Sequence, residues 1–151
     1  MKKEKILEPK TTVQLKINQP IEEVFNAIVD PVKICEYFTS TASGPLVEGS
    51  SVTWSWADVG AEFSIRVQKV EANKRVLFQW PATGVDSLVD ITLEPLSAES
   101  TLIKVLETGW TADQKGVDRS NRQTAGWMHM FCCMKAFLEY GVNLRRGGVF
   151  K

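Results

Sequence analysis

The chain is predicted to fold as an α+β domain in which a curved antiparallel sheet closes around one C-terminal helix. Three observations carry that expectation. From Val13 to Glu107 the apolar residues mostly recur at every second position, the period of a strand with one buried face. From Trp127 to Gly141 they recur every three or four, the period of a helix. Short polar turns separate the alternating runs, as antiparallel neighbours require. A bent sheet facing a helix leaves room for a pocket between them, so the expected site is a shape rather than a catalytic motif.

Thr11 to Asn18 alternates, with Val13, Leu15 and Ile17 on one face, and reads as the first strand. The run from Asn18 to Glu23 opens a short helix. Pro20 fits its first turn, where no amide hydrogen is needed, and Glu22 and Glu23 favour the positive end of the dipole. Its buried stripe is Ile21, Val24, Phe25 and Ile28. Asp30-Pro31 repeats the start signal, with Asp30 as cap, and predicts a second short helix from Pro31 to about Tyr37.

Strands are then expected around Val52, Trp54 and Trp56; Phe63, Ile65 and Val67; Val76, Phe78 and Trp80; and Val89, Ile91 and Leu93. Ala57–Gly60 and Ala72–Lys74 are the tight turns between them. Thr101 to Thr108 is a last strand of open parity, since either Ile103 and Val105 or Leu102 and Leu106 can face inward. Thr111-Ala112-Asp113-Gln114 has capping-box spacing and starts the final helical region, although Gly116 and Gly126 argue against one unbroken helix. Trp127, Met130, Phe131, Met134, Phe137, Leu138 and Gly141 share one helical face.

The totals exclude several classes. At 151 residues, with no repeat, linker or low-complexity segment, the chain is expected to be a single domain over 1–151 with its core at about 10–141. Eighteen basic residues balance eighteen acidic ones, which gives no global attraction to nucleic acid. No apolar run approaches a spanning helix, so no membrane insertion is expected. Met1–Lys5 is basic but lacks the apolar stretch of a signal peptide. The odd count of cysteines, Cys35, Cys132 and Cys133, fits free thiols in a reducing cytoplasm.

No phosphate-binding glycine loop, paired-cysteine metal spacing or nucleophile elbow is present, so no catalytic residue, metal or cofactor is assigned. His129 lies about 200° around the helix from Trp127 and Phe131 and is expected to face away from the apolar stripe, with Cys132 and Cys133 on the same outer side. The inward aromatic set is Trp54, Trp56, Phe63, Phe78 and Trp80, faced by Trp127 and Phe131 from the helix. Met130 and Met134 are adaptable packers suited to an irregular apolar wall. Ser120 and Gln123 extend the same helical stripe, and Glu107 joins the interior if Thr101, Ile103 and Val105 do. A carboxylate there needs a partner, because an unpaired buried charge is costly.

Pro20 to Phe25 followed by Asp30-Pro31, the aromatic strand Val76 to Trp80, Val89 to Pro95, Thr101 to Val105 and Gly126-Trp127 occur in an order that resembles the START-like, or SRPBCC, helix-grip superfamily. The similarity is greatest to bacterial homologues of the C-terminal domain of heat-shock chaperone ATPase activators. The resemblance implies a strand, two short helices, six further strands and a long helix across the sheet, with Glu107 inward. It also implies a hydrophobic cavity for a lipid-, polyketide- or aromatic-like molecule. The expected lining is Trp54, Trp56, Phe63, Phe78, Trp80, Glu107, Gln123, Trp127, Met130, Phe131 and Met134. Glu107 and Gln123 are expected at a wet mouth that orients the ligand head. The expected function is therefore binding of a small apolar molecule. The alternatives are a cyclase or hydratase using the same cavity, with Glu107 as base, or a stress-response module with a chaperone as partner.

Overall fold

Alternation builds the sheet, and a single helix lies across it. The computed structural model describes residues 7–149; the basic stretch Met1–Lys5 lies outside the described residues. The chain runs β1 (Thr11–Ile17), α1 (Ile21–Val29), α2 (Pro31–Ile34), β2 (Thr41–Ala42), β3 (Ser51–Trp56), β4 (Ala61–Glu71), β5 (Arg75–Trp80), β6 (Ser87–Ser97), β7 (Ser100–Thr108) and α3 (Gln114–Tyr140). The strands form one sheet in the order β1-β7-β6-β5-β4-β3-β2, with every neighbouring pair antiparallel. This is the helix-grip architecture, with six strands between the short helices and the long one.

Local chemistry fixes the ends of these elements. Asp30 caps α2 by accepting from the Val32 amide at 2.8 Å. Asn73 takes a φ of 61° in the turn between β4 and β5, a conformation its short polar side chain tolerates. The register shifts between Val67 and Lys69 on β4, a bulge that bends the strand and strengthens its twist.

One boundary and one element differ from the sequence reading. α2 stops at Ile34 rather than near Tyr37, because the chain turns there to send Tyr37 into the core. The Tyr37 hydroxyl donates to the Ala27 carbonyl at 2.9 Å, and its ring stacks on Phe137. β2 is a two-residue edge strand, too short for alternation to register.

The last helix is unbroken despite its two glycines. Asp113, not Thr111, is the cap: its Oδ1 accepts from the Gly116 amide at 2.9 Å and from the Thr111 hydroxyl at 2.7 Å. The backbone bond from Gly116 is the main cause holding the Asp113 carboxyl below its ordinary value. A methyl group at Gly116 would lie 1.7 Å from the Thr111 carbonyl oxygen, so glycine is what lets the cap fold back. At the other end Gly141 adopts φ 67° and closes the helix.

α3 runs along β1 in the same direction. The Thr11 hydroxyl donates to the Ser120 carbonyl (2.7 Å), the Lys135 ammonium to the Lys16 carbonyl (2.9 Å), and the Asn18 amide to the Glu139 carboxylate (2.9 Å). Between helix and sheet, Phe78, Ile91, Ile103 and Val105 meet Met130, Phe131, Cys133 and Met134, all at most 1% exposed. Cys133 was expected on the outer side. It is buried because α3 is packed on two sides, and its second side faces Tyr37. No helix among the described residues is long and apolar enough to cross a membrane.

Candidate functional site

The site is built outward from a buried carboxylate. β7 alternates Thr101, Ile103, Val105 and Glu107 inward, and all four are at most 1% exposed. Glu107 pairs with Thr11 on β1 and Val89 on β6, so it is flanked by a strand on each side rather than lying on the sheet's edge. Four donors close on it. Its Oε1 accepts from the Trp127 indole N–H at 2.7 Å and from the Gln123 side-chain amide at 2.9 Å. Its Oε2 accepts from the Ser87 hydroxyl at 2.6 Å and from the Trp80 indole N–H at 3.0 Å.

This arrangement suits an anion. An indole N–H only donates, and two donors per oxygen satisfy a carboxylate that has left water. Hydrogen bonds to a charged group contribute about 1.5–3 kcal/mol each, enough together to offset a desolvation cost of several kcal/mol. None of the ion pairs among the described residues includes Glu107, so its partners are neutral dipoles. The expectation of a wet mouth for Glu107 is corrected: it is 0% exposed, because the two indoles and Gln123 fold over it.

Those covering groups face a cleft of about 430 Å³. Trp56, Phe63 and Trp80 supply its sheet wall, and Gln123, Trp127 and His129 its helix wall. Phe38, delivered by the turn after α2, packs edge-on against Trp56 with ring centroids 5.2 Å apart. Small residues make the space: Ala61 and Ala82 on the sheet side, Ala125 and Gly126 on the helix. A methyl group added at Gly126 would meet nothing within 4 Å. Beyond Gly141 the chain folds back, placing Arg145 and Val149 at the rim. Arg145 is held there by Asp58 in the β3–β4 turn, at 3.0 and 3.2 Å.

The expected site residues therefore divide. Trp56, Phe63, Trp80, Gln123 and Trp127 line the cleft, and Glu107 stands directly behind three of them. Trp54, Phe78, Met130, Phe131 and Met134 do not reach it. They are at most 1% exposed and fill the interior behind the cleft wall, Trp54 packing edge-on against Trp56 and Trp80. Ser120 is buried on the stripe but bonds to the backbone of its own helix.

Several lining residues escaped the sequence reading. His129, expected to face away, is half-buried and lines the cleft. The overlooked signal is the row Gly126, His129 and Cys133, at three- and four-residue spacing, which leads along α3 from the exposed cleft wall to the buried Cys133. Ser87 was also missed, although it lies two residues before Val89 and shares its parity. Phe38 and Arg145 come from irregular segments, where periodicity gives no orientation.

Burial pushes His129 below the ordinary histidine value and the Arg145 charge adds to this, against a weaker pull from Asp58. The ring is neutral at pH 7, with its Nε2 3.4 Å from the Cys133 sulfur. Burial likewise pushes the Cys133 thiol up, so it is no ready nucleophile. Among the described residues no group of three or more His, Cys, Asp or Glu side chains gathers to hold a metal ion.

Comparison with known proteins places the fold and the family. The crystal structure of SSP2350 from Staphylococcus saprophyticus is 30% identical, with a TM-score of 0.79 over 90% of this chain and 96% of that one. DynU16, described as a putative protein in the dynemicin biosynthetic locus, is 27% identical, with a TM-score of 0.79 over 89% of this chain and 49% of that one. The Aha1 dimer from Colwellia psychrerythraea shares the fold at 20% identity, with a TM-score of 0.76 over 87% and 97% of the two chains. No curated protein sequence matches the chain. The family model described as activator of Hsp90 ATPase homolog 1-like protein matches residues 18–139. With that match spanning most of its length, the chain belongs to the activator of Hsp90 ATPase homolog 1-like family.

Proposed function

We propose that the chain binds a small, largely apolar molecule in the cleft between the first half of α3 and strands β3–β5. One observation carries this reading: a cleft of about 430 Å³, walled by aromatic rings and floored by small residues, with a buried carboxylate fixing two of its indoles. Its volume falls within the range of about 300–1,000 Å³ usual for small-molecule sites. Trp80 and Trp127 are held rigidly, so little ordering is lost when a flat molecule lies against them. The biosynthetic-locus setting of DynU16 fits a small-molecule ligand for this architecture.

Binding is favoured over catalysis. Glu107 was the candidate base, and both of its oxygens are occupied by donors and screened from the cleft. His129 lines the cleft as a neutral imidazole, but Asp58, the carboxylate at the rim, is tied to Arg145. Among the described residues no acid/base pair is assembled around a common point.

The test is native mass spectrometry of freshly purified protein, followed by titration with 2-naphthol and similar neutral aromatics. A carried mass released on activation, or saturable binding that quenches tryptophan fluorescence, is expected. No carried mass and no binding at millimolar concentration would overturn the reading. A second reading, contact with a chaperone, is favoured by the family match. Co-purification with a chaperone that survives substitutions in the cleft would support it.

A further inference from the structure

We infer that the cleft selects an organic cation, such as a quaternary or aromatic ammonium group carried on an apolar body. The inference rests on the proposed binding site and specifies the chemistry of its ligand. Three features combine. The carboxylate of Glu107, met by four donors, has no cationic partner among the described ion pairs, and it lies just behind the cleft wall. It is joined to that wall through two indole N–H groups, those of Trp80 and Trp127. A hydrogen bond from indole to an anion pushes electron density into the ring, and the ring face is already the negative pole of its quadrupole.

The remaining charges do not cancel this field. Arg145 is the one formally charged residue lining the cleft among the described residues, and Asp58 holds its guanidinium through two contacts, at 3.0 and 3.2 Å. His129 is neutral at pH 7 because it is partly buried. Arg119, nearby on α3, points its Nε–H at the Thr83 carbonyl (3.0 Å) and is not part of the lining. Of the charges at the cleft wall considered, Glu107 is the one left without an ionic partner. Phe38, Trp56 and Phe63 add further aromatic walls, which stabilise a cation without forming a salt bridge. A carboxylate-bearing or sulfonated ligand would meet the same field as repulsion.

The experiment compares two molecules of the same shape, phenyltrimethylammonium and tert-butylbenzene, which differ in a cationic nitrogen replaced by carbon. Both are titrated into the full-length protein, with benzenesulfonate as the anionic control. The cation is expected to bind about tenfold more tightly than its neutral isostere. That preference should persist in 0.5 M sodium chloride, because a charge buried behind protein is weakly screened. In Glu107→Gln the ratio of the two affinities should fall to about one. The ratio cancels any general loosening of the variant, and the salt test on the unaltered protein stands even if the variant does not fold.

Equal or tighter binding of tert-butylbenzene would overturn the charge inference and leave the apolar cleft standing. Loss of the preference in high salt, or its survival in Glu107→Gln, would assign it to surface carboxylates instead. Absence of binding by all three probes would remove the proposed site and this inference together.

Discussion

The two halves of the space between helix and sheet are both lined by aromatic rings, yet one is solid and the other holds a cleft. Toward the C-terminal half of α3, Phe78, Ile91 and Ile103 pack with Phe131 and Met134 in the core, and each of these five is at most 1% exposed. Toward its N-terminal half, Trp56, Phe63 and Trp80 face Trp127 across a cleft. Aromatic content does not separate the halves. What separates them is the size of the residues between the rings: Ala61, Ala82, Ala125 and Gly126 surround the cleft, whereas methionine and isoleucine fill the solid half. A large ring beside a small neighbour leaves a void, and beside a flexible or branched one it does not.

The largest difference between the halves should appear in stability. Phe131→Ala empties a fully enclosed site and should cost about 3–5 kcal/mol in urea denaturation. Phe63→Ala, on a partly buried residue at the cleft wall, should cost less than half of that, about 1–2 kcal/mol. Equal costs would erase the distinction between core and cleft.

Glu107 joins the two halves, and replacing it should be nearly as disruptive. Glu107→Gln keeps the shape but turns an amide N–H₂ toward groups that are themselves donors, stranding at least one indole or amide. A loss of about 2–4 kcal/mol is expected, read from the same urea midpoints. A neutral result would mean that the four donors find other partners and that the carboxylate is not what positions Trp80 and Trp127.

The two helical glycines sharpen the contrast at smaller magnitude. Gly126→Ala should stabilise the protein by about 0.5–1 kcal/mol, since helix propensity improves and the new methyl group meets nothing. The same methyl group projects into the cleft and should weaken ligand binding. Gly116→Ala should instead destabilise, because its methyl group collides with the Thr111 carbonyl. A gain in stability with unchanged affinity would show that Gly126 does not shape the site.

The smallest effect concerns pH. Folding lowers the pKa of His129, so as pH falls the unfolded chain takes up its proton before the folded one does. Its contribution to stability is full above about pH 6.5 and declines as pH drops below that value. Urea midpoints at pH 7.5 and 5.5 should therefore lie closer together in His129→Gln than in the parent protein. An identical slope in both would place the imidazole in solvent.

Much of this architecture was legible because strand and helix periods are properties of neighbouring residues. The alternation of Val52, Trp54 and Trp56 fixes which face is buried, and β7 shows the same logic once Glu107 is taken as inward. β2 was invisible because two residues define no period. The boundary of α2 depended on the distant carbonyl of Ala27, which no local pattern encodes. The candidate site was legible in part for a related reason. Parity identified Trp56, Phe63, Trp80 and Trp127 as inward, but it does not report how closely two inward faces approach, so Trp54 and Met134 looked equivalent to them. The donors around Glu107 come from β5, β6 and α3, and their convergence is a property of the curved sheet alone.

The central claim is that the cleft, and not the solid half, receives a ligand. Its most direct test is a two-dimensional amide and indole N–H spectrum, with methionine methyl groups observed in parallel, during titration with 2-naphthol. The account predicts one saturable set of shifts at the indole N–H signals of Trp56, Trp80 and Trp127, while Trp110 and the Met134 methyl group stay in place. Saturable shifts centred on Met134 or on the outer face of the sheet, or no shifts at all, would contradict it.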